Sequence, residues 1–217
     1  MIQFGWALAL AAPEAVYPGN QIYEPLSASV QAALHKSVSD HATPFLAFDT
    51  EAQARRWLVD MSTRLARGMP DRTQREEFLV TVHYEAKRAG LDPQLVLGLI
   101  QVESNFRKHA VSHAGARGYM QVMPFWVRLV GDKDHNLFHL RTNLRFGCLI
   151  LRYYLDLENG DLYRALGRYN GSLGKPDYPT AVVRAWQRNW QYSTQAAVGV
   201  PAHSPPAADR LGRLDTH

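Results

Sequence analysis

The sequence predicts an all-α, mainly helical fold, and three observations carry that reading. Apolar residues recur at helical spacing along most of the chain. Capping residues stand just ahead of those stripes. No run of alternating β-branched residues offers a strand. Hydrophobic residues make up 46% of the 217 residues and charged residues 20%, which is the balance of a chain able to bury a core.

Residues 29–41 have Val30, Ala33, Leu34 and Val38 near one face. Residues 50–66 are patterned more strongly: Trp57, Leu58, Met61 and Leu65 repeat at helical spacing, and Gly68 and Pro70 end the segment. Thr73 and Glu76 read as a T-x-x-E capping box opening a third helix, with Phe78, Leu79, Val82 and Ala86 as its apolar face and Gly90 as its stop. Asp92 is an N-cap candidate, and Pro93 fits the first helical position behind it. Further helices are expected over 142–158, 161–169 and 179–190, the last marked by Val182, Val183, Trp186 and Trp190. These helices divide into an N-terminal helical extension over 29–77 and a second domain over 78–194.

The ends read differently. Residues 2–12 are apolar, with the small residues Ala11 and Ala12 at their end and Ala15 just beyond, as in a secretory signal, although no Lys or Arg precedes them. Pro13, Pro18, Gly19 and Pro25 mark a linker, so residues 1–28 are taken as a signal-like segment and linker. The tail over 195–217, with Pro201, Pro205 and Pro206 among small residues, is expected to be disordered.

The net charge of +4 suits an anionic partner, yet no Lys/Arg run interleaved with aromatics points to nucleic acid. Cys148 is alone and inside an apolar helix, where it reads as a small buried hydrophobe. Asp132, Asp134 and Asn136 begin like a calcium loop, but Leu137 stands where Gly is needed and Asn143 where Glu is needed. His109 with His113, and His135 with His139, lack the H-E-x-x-H context of a zinc site. No metal or cofactor is expected. Trp126, Trp186 and Trp190 read as core aromatics before sugar platforms.

The chemistry concentrates at the end of the helix from Pro93. Leu95, Val96, Leu99 and Ile100 form its apolar stripe, and Glu103 falls four residues after Leu99, on the same face. A carboxylate there is expensive to charge, and the C-terminal helix dipole adds to the cost. Both effects raise its pKa and favour the neutral acid that glycoside cleavage needs. A helix cap or a pair with Arg107 would place a Glu here equally well. The next segment moves the balance. Gly115 and Gly118 permit tight turns, Gln121 offers donor and acceptor, and Met120 and Met123 suit a groove for a pyranose face.

These motifs resemble the catalytic domain of the soluble-type lytic transglycosylases, in the lysozyme-like superfamily. The resemblance rests on Glu103-Ser104 at a helix end, on Ser112, on Gly115-Ala116-Arg117-Gly118-Tyr119-Met120-Gln121 for G-x-x-G-L-M-Q, and on Arg168-Tyr169-Asn170-Gly171-Ser172 for A-Y-N-A-G. It spans roughly 78–190. Tyr119 replaces the usual Leu, and Arg168 and Gly171 replace alanines, with consequences expected for groove shape.

The resemblance implies a lysozyme-like domain acting on peptidoglycan. Glu103 would protonate the oxygen between N-acetylmuramic acid and N-acetylglucosamine. It would then deprotonate the muramoyl C6 hydroxyl, which closes a 1,6-anhydro ring. Ser112, Met120, Gln121, Met123, Tyr169 and Asn170 are the expected substrate-binding residues, with Tyr169 presenting its hydroxyl to Glu103. The same resemblance implies export to the periplasm or cell envelope. A monomer is expected, with envelope or secretion-machine partners docking on the N-terminal helices. Two other readings stay open: a hydrolase using Asp132 or Asp134 as second carboxylate, and a non-catalytic wall-binding module.

Overall fold

The computed structural model describes residues 21–22, 25–39 and 42–193. The apolar stretch over 2–12 and the tail from Gln195 lie outside the described residues. Among those described, eight α-helices and one π-helical turn account for the regular structure, and no strand forms. Two isolated bridges, Val111 with Arg117 and Arg117 with Val122, are the only extended pairings. The all-α expectation holds.

The helices are α1 (Ala28–Val38), α2 (Glu51–Leu65), α3 (Arg72–Arg88), α4 (Pro93–Ser104), α5 (Phe125–Val130), α6 (Leu140–Leu157), α7 (Leu162–Asn170) and α8 (Asp177–Ala185). Local chemistry sets most starts. Thr50 and Gln53 exchange side-chain and backbone bonds in a full capping box. Asp92 accepts from the Gln94 N–H at 2.7 Å ahead of Pro93. Asp161 caps α7 through Arg164 N–H.

The start of α3 corrects the Thr73 expectation. Asp71 is the N-cap and accepts from Gln74 N–H at 2.7 Å, while Glu76 pairs with Arg72. An anionic carboxylate two residues earlier is the stronger acceptor for the free N–H groups and meets the positive end of the dipole. The short helix α5 was not expected, because six residues carry too little periodicity to register. The last helix starts earlier than its apolar stripe, at Asp177, and its final part, Trp186–Trp190, is π-helical.

Helix α4 is the axis of the molecule. Residues 95–100 are buried all round, so the helix is enclosed and not merely amphipathic. It packs against α3, α8 and the π-helical turn. Gly98 permits the last of these crossings: a Cβ there would lie 2.8 Å from the Trp186 backbone nitrogen. Helix α6 lies against α3 and α7.

Helix α2 covers α3 through Trp57, Met61 and Leu65, all essentially inaccessible. Truncating such a Trp to Ala costs about 3–5 kcal/mol. His83 on α3 completes that layer, stacked on Phe48 at 4.7 Å and edge-on to Trp57 at 5.0 Å. Burial keeps its ring neutral, with a pKa pushed down to about 4.

A buried ion network holds the C-terminal end of α1. Glu85 takes Arg145 at 2.9 Å and Arg141 at 3.2 Å. Arg145 also donates to the Val38 carbonyl and Arg88 to the Ser37 carbonyl. One buried carboxylate thereby fixes three arginines, two of which satisfy open carbonyls at the end of α1. No helix among the described residues is long and apolar enough to cross a membrane.

Candidate active site

Helix α4 ends at Ser104, and Asn105 turns into the left-handed region with φ 47°. This termination leaves Glu103 in the last turn, half-buried, where the apolar stripe through Leu95 and Leu99 had put it. Burial pushes its carboxyl pKa up to about 8, and one hydrogen bond works against that rise. The bond comes from the Tyr178 hydroxyl, which donates to Glu103 Oε1 at 2.5 Å. Tyr178 is itself 1% exposed and sits in the first turn of α8. Among the described residues, no second carboxylate shifts Glu103.

Ser104, the neighbour of Glu103, is fully buried and ties the helix end to the glycine-rich loop. Its hydroxyl donates to the Tyr119 carbonyl at 2.7 Å. The next residue of the loop is held from two more directions. Asn143 of α6 accepts from Met120 N–H at 2.8 Å and donates to the Arg117 and Leu137 carbonyls. Tyr169 of α7 donates to the Met120 carbonyl at 2.7 Å. Three helices therefore fix the backbone of 117–120 against Glu103.

Glycine is required twice in this clamp. A Cβ on Gly118 would fall 2.4 Å from Asn143 Nδ2, and Gly118 has φ +77°. A Cβ on Gly147 would fall 2.4 Å from Met120 Sδ.

The expected site residues divide by position. Tyr169 is fully buried, and burial first and the Glu103 charge second push its phenol pKa up, yet its hydroxyl goes to Met120 and not to Glu103. The phenol on the carboxyl is that of Tyr178, so the expected partner of Glu103 is corrected. Met120 is fully buried, its side chain packed on Gly147 and its backbone held by Asn143 and Tyr169.

Gln121 is also buried. Its side-chain amide donates to the Ala110 and Gly118 carbonyls, closing the loop with the residue in the left-handed region at φ 47°. Its own carbonyl accepts from the Gln21 side chain at 3.3 Å. Met123 is partly exposed, and its N–H donates to Gln21 Oε1 at 3.0 Å. Ser112 closes the 112–116 turn, accepting from Ala116 N–H at 3.1 Å. Asn170, at the end of α7, is 4% exposed.

The three departures from the family motif also have places. Tyr119 packs on Phe78 at 4.9 Å, beneath α3. Arg168 joins Arg164 in holding Glu158, tying the end of α6 to α7. Gly171 takes φ +75° as the left-handed cap of α7, a conformation costly for Ala.

Asp132 and Asp134 are exposed, and Asp132 faces His35 of α1 at 3.4 Å. Tyr178, Asn143 and Gln21 were missed from the sequence. Tyr178 precedes Val182 and Trp186 at four-residue spacing, so a phenol on an apolar stripe was a readable signal. Asn143 shares the same kind of stripe with Phe146, Gly147 and Ile150. Gln21 carries no such signal.

Comparison with known proteins agrees with this geometry. Residues 81–183 match the family described as the transglycosylase SLT domain. The chain is similar to the membrane-bound lytic murein transglycosylase C of Haemophilus ducreyi, 32% identical over 157 residues, covering 64% of this chain and 43% of that protein. It is similar to the transglycosylase of Enterobacteria phage PRD1, 33% identical over 98 residues, covering 45% of this chain and 36% of that protein. A shorter stretch of 48 residues is 50% identical to the membrane-bound lytic murein transglycosylase C of Actinobacillus pleuropneumoniae serotype 5b, covering 22% of this chain and 13% of that protein. The chain thus spans less than half the length of these relatives.

Proposed function

We propose that this chain, whose residues 81–183 are a lysozyme-like transglycosylase SLT domain, is a peptidoglycan lytic transglycosylase with Glu103 as its single acid and base. The observation that carries the reading is the setting of Glu103, in the last turn of the buried helix α4 with the Tyr178 hydroxyl on its carboxyl. A carboxyl with its pKa near 8 holds its proton at neutral pH, as a general acid for glycosidic oxygen requires. After the bond breaks, the resulting carboxylate accepts the proton of the muramoyl C6 hydroxyl, and that oxygen closes the 1,6-anhydro ring. The substrate supplies the nucleophile, so one carboxylate suffices where most glycosidases use two. Tyr178 stabilises the charged form that exists between the two proton transfers.

In this reading Gln121, Met123, Tyr169 and Asn170 line or brace the sugar site, Met120 anchors the loop beneath it, and Ser112 shapes the loop beside it. The protein works in the cell envelope after export, and α1 and α2 offer a surface to other envelope proteins. Hydrolysis would call for a second carboxylate, and the two candidates, Asp132 and Asp134, are exposed and exert no charge effect on Glu103.

Mass spectrometry of the products from purified peptidoglycan tests the proposal. Anhydromuramoyl ends are expected. Reducing muramic acid ends would convert the assignment to a hydrolase, and intact glycan would leave a wall-binding module.

A further inference from the structure

Gln21 stands outside every helix, and its neighbour Ile22 is 59% exposed, yet Gln21 itself is 4% exposed. Burying a long polar side chain from an irregular segment is costly unless its amide is bonded, and ordering it costs entropy as well. Here the amide is bonded on both ends. Its Nε2 donates to the Gln121 carbonyl at 3.3 Å, and its Oε1 accepts from Met123 N–H at 3.0 Å. The same side chain lies near the Tyr169 hydroxyl of α7.

These partners come from the loop and helix that frame the catalytic carboxyl. The Gln121 carbonyl and the Met123 N–H make one acceptor and one donor on neighbouring backbone. That pair matches an amide from outside the loop. Both sugars of peptidoglycan carry such an amide in the acetamido group, with one N–H and one C=O.

We propose that Gln21 is a built-in competitor for the acetamido site, filling the Gln121–Met123 backbone pair until a glycan strand displaces it. The identity of the displacing sugar rests on the transglycosylase reading; the occupancy by Gln21 does not. Because the segment is part of the chain, its effective concentration is fixed, and it lowers the fraction of molecules open to substrate. Affinity then falls by that fraction while the chemistry of the bound complex is unchanged.

The test compares the full chain with its Gln21→Ala variant, using tetra-N-acetylchitotetraose as an acetamido probe in titration calorimetry and purified peptidoglycan as substrate. The variant is expected to bind the probe roughly 5–10-fold more tightly and to show a KM lower by a similar factor with kcat unchanged. In the unmodified 15N-labelled chain, saturating probe should move the Gln21 side-chain amide signals to the position of a solvated Gln. That arm needs no variant and survives any loss of folding in Gln21→Ala. Equal or weaker binding by a folded variant, or Gln21 signals that stay in place when the probe binds, would overturn the proposal. Tighter binding with no glycan cleavage by either chain would keep the competitor and remove the catalytic reading.

Discussion

The Tyr178 hydroxyl lies 2.5 Å from Glu103 Oε1, joining the first turn of α8 to the last turn of α4. The two side chains reach each other because their helices pack side by side along the buried length of α4. The bond sets a limit on the carboxyl. Burial drives Glu103 toward the neutral acid, and Tyr178 favours the charged form.

Tyr178→Phe removes the donor and keeps the ring. The Glu103 pKa should then rise above its value near 8, since the influence lost is the one lowering it. The alkaline limb of the pH–rate profile should move upward. Turnover should fall roughly 10–100-fold through loss of support for the carboxylate formed after proton donation. A pH–rate profile of peptidoglycan solubilisation reads both effects.

Glu103→Gln keeps the shape and removes the titrating proton. Glycan release should drop by roughly 10²–10⁴-fold. Stability should move the other way. The folded carboxyl has its pKa raised from the ordinary 4.5 to about 8, so the folded chain holds a proton that the unfolded chain releases. That contribution is complete below the unfolded pKa and is lost as pH rises through the folded one. The variant has no such slope. It should therefore gain on the parent between about pH 5 and about pH 8.5, by roughly 1–3 kcal/mol. Urea unfolding at both pH values measures the difference.

Asn143→Ala strips three hydrogen bonds from a side chain with no exposure, two of them to the carbonyls of Arg117 and Leu137. Unsatisfied buried partners cost about 1–3 kcal/mol each, partly relieved by water. The clamp on Met120 loosens as well. The expected result is lower stability by roughly 2–4 kcal/mol, together with a fall in turnover. Chemical denaturation with parallel activity assays checks the pairing of the two losses.

His83 makes the core acid-sensitive. Its pKa is lowered from 6.5 to about 4 by burial first and by the charge of Lys87 second. The stability it allows is present above the unfolded pKa and is lost as pH falls through the folded one. Both ring nitrogens lack a hydrogen-bond partner, so a proton gains nothing there. His83→Phe should flatten the decline in melting temperature between about pH 6.5 and about pH 4, and scanning calorimetry across that range would reveal it.

Much of helix α4 was legible because one stripe carries both its packing and Glu103. Leu95, Leu99 and Glu103 share a face, so the pattern that buries the helix also buries the acid. Partners from distant helices were harder to read. Tyr169 and Tyr178 are both phenols on apolar stripes, and the packing of α8 along α4 brings Tyr178 to Glu103. The α3 cap was misread for a local reason: Thr73 fits the motif, but Asp71 is charged and comes first. Gln21 is the extreme case. Its burial depends on a carbonyl and an N–H one hundred residues away, and backbone groups leave no mark in a sequence.

Direct titration of the Glu103 carboxyl tests the central claim. In a chain labelled with 13C at glutamate side-chain carboxyls, assigned through Glu103→Gln, the Glu103 signal should titrate with a midpoint near pH 8. A midpoint at the ordinary carboxylate value of 4.5 would mean a solvated, charged group at neutral pH, and Glu103 could not serve as the acid.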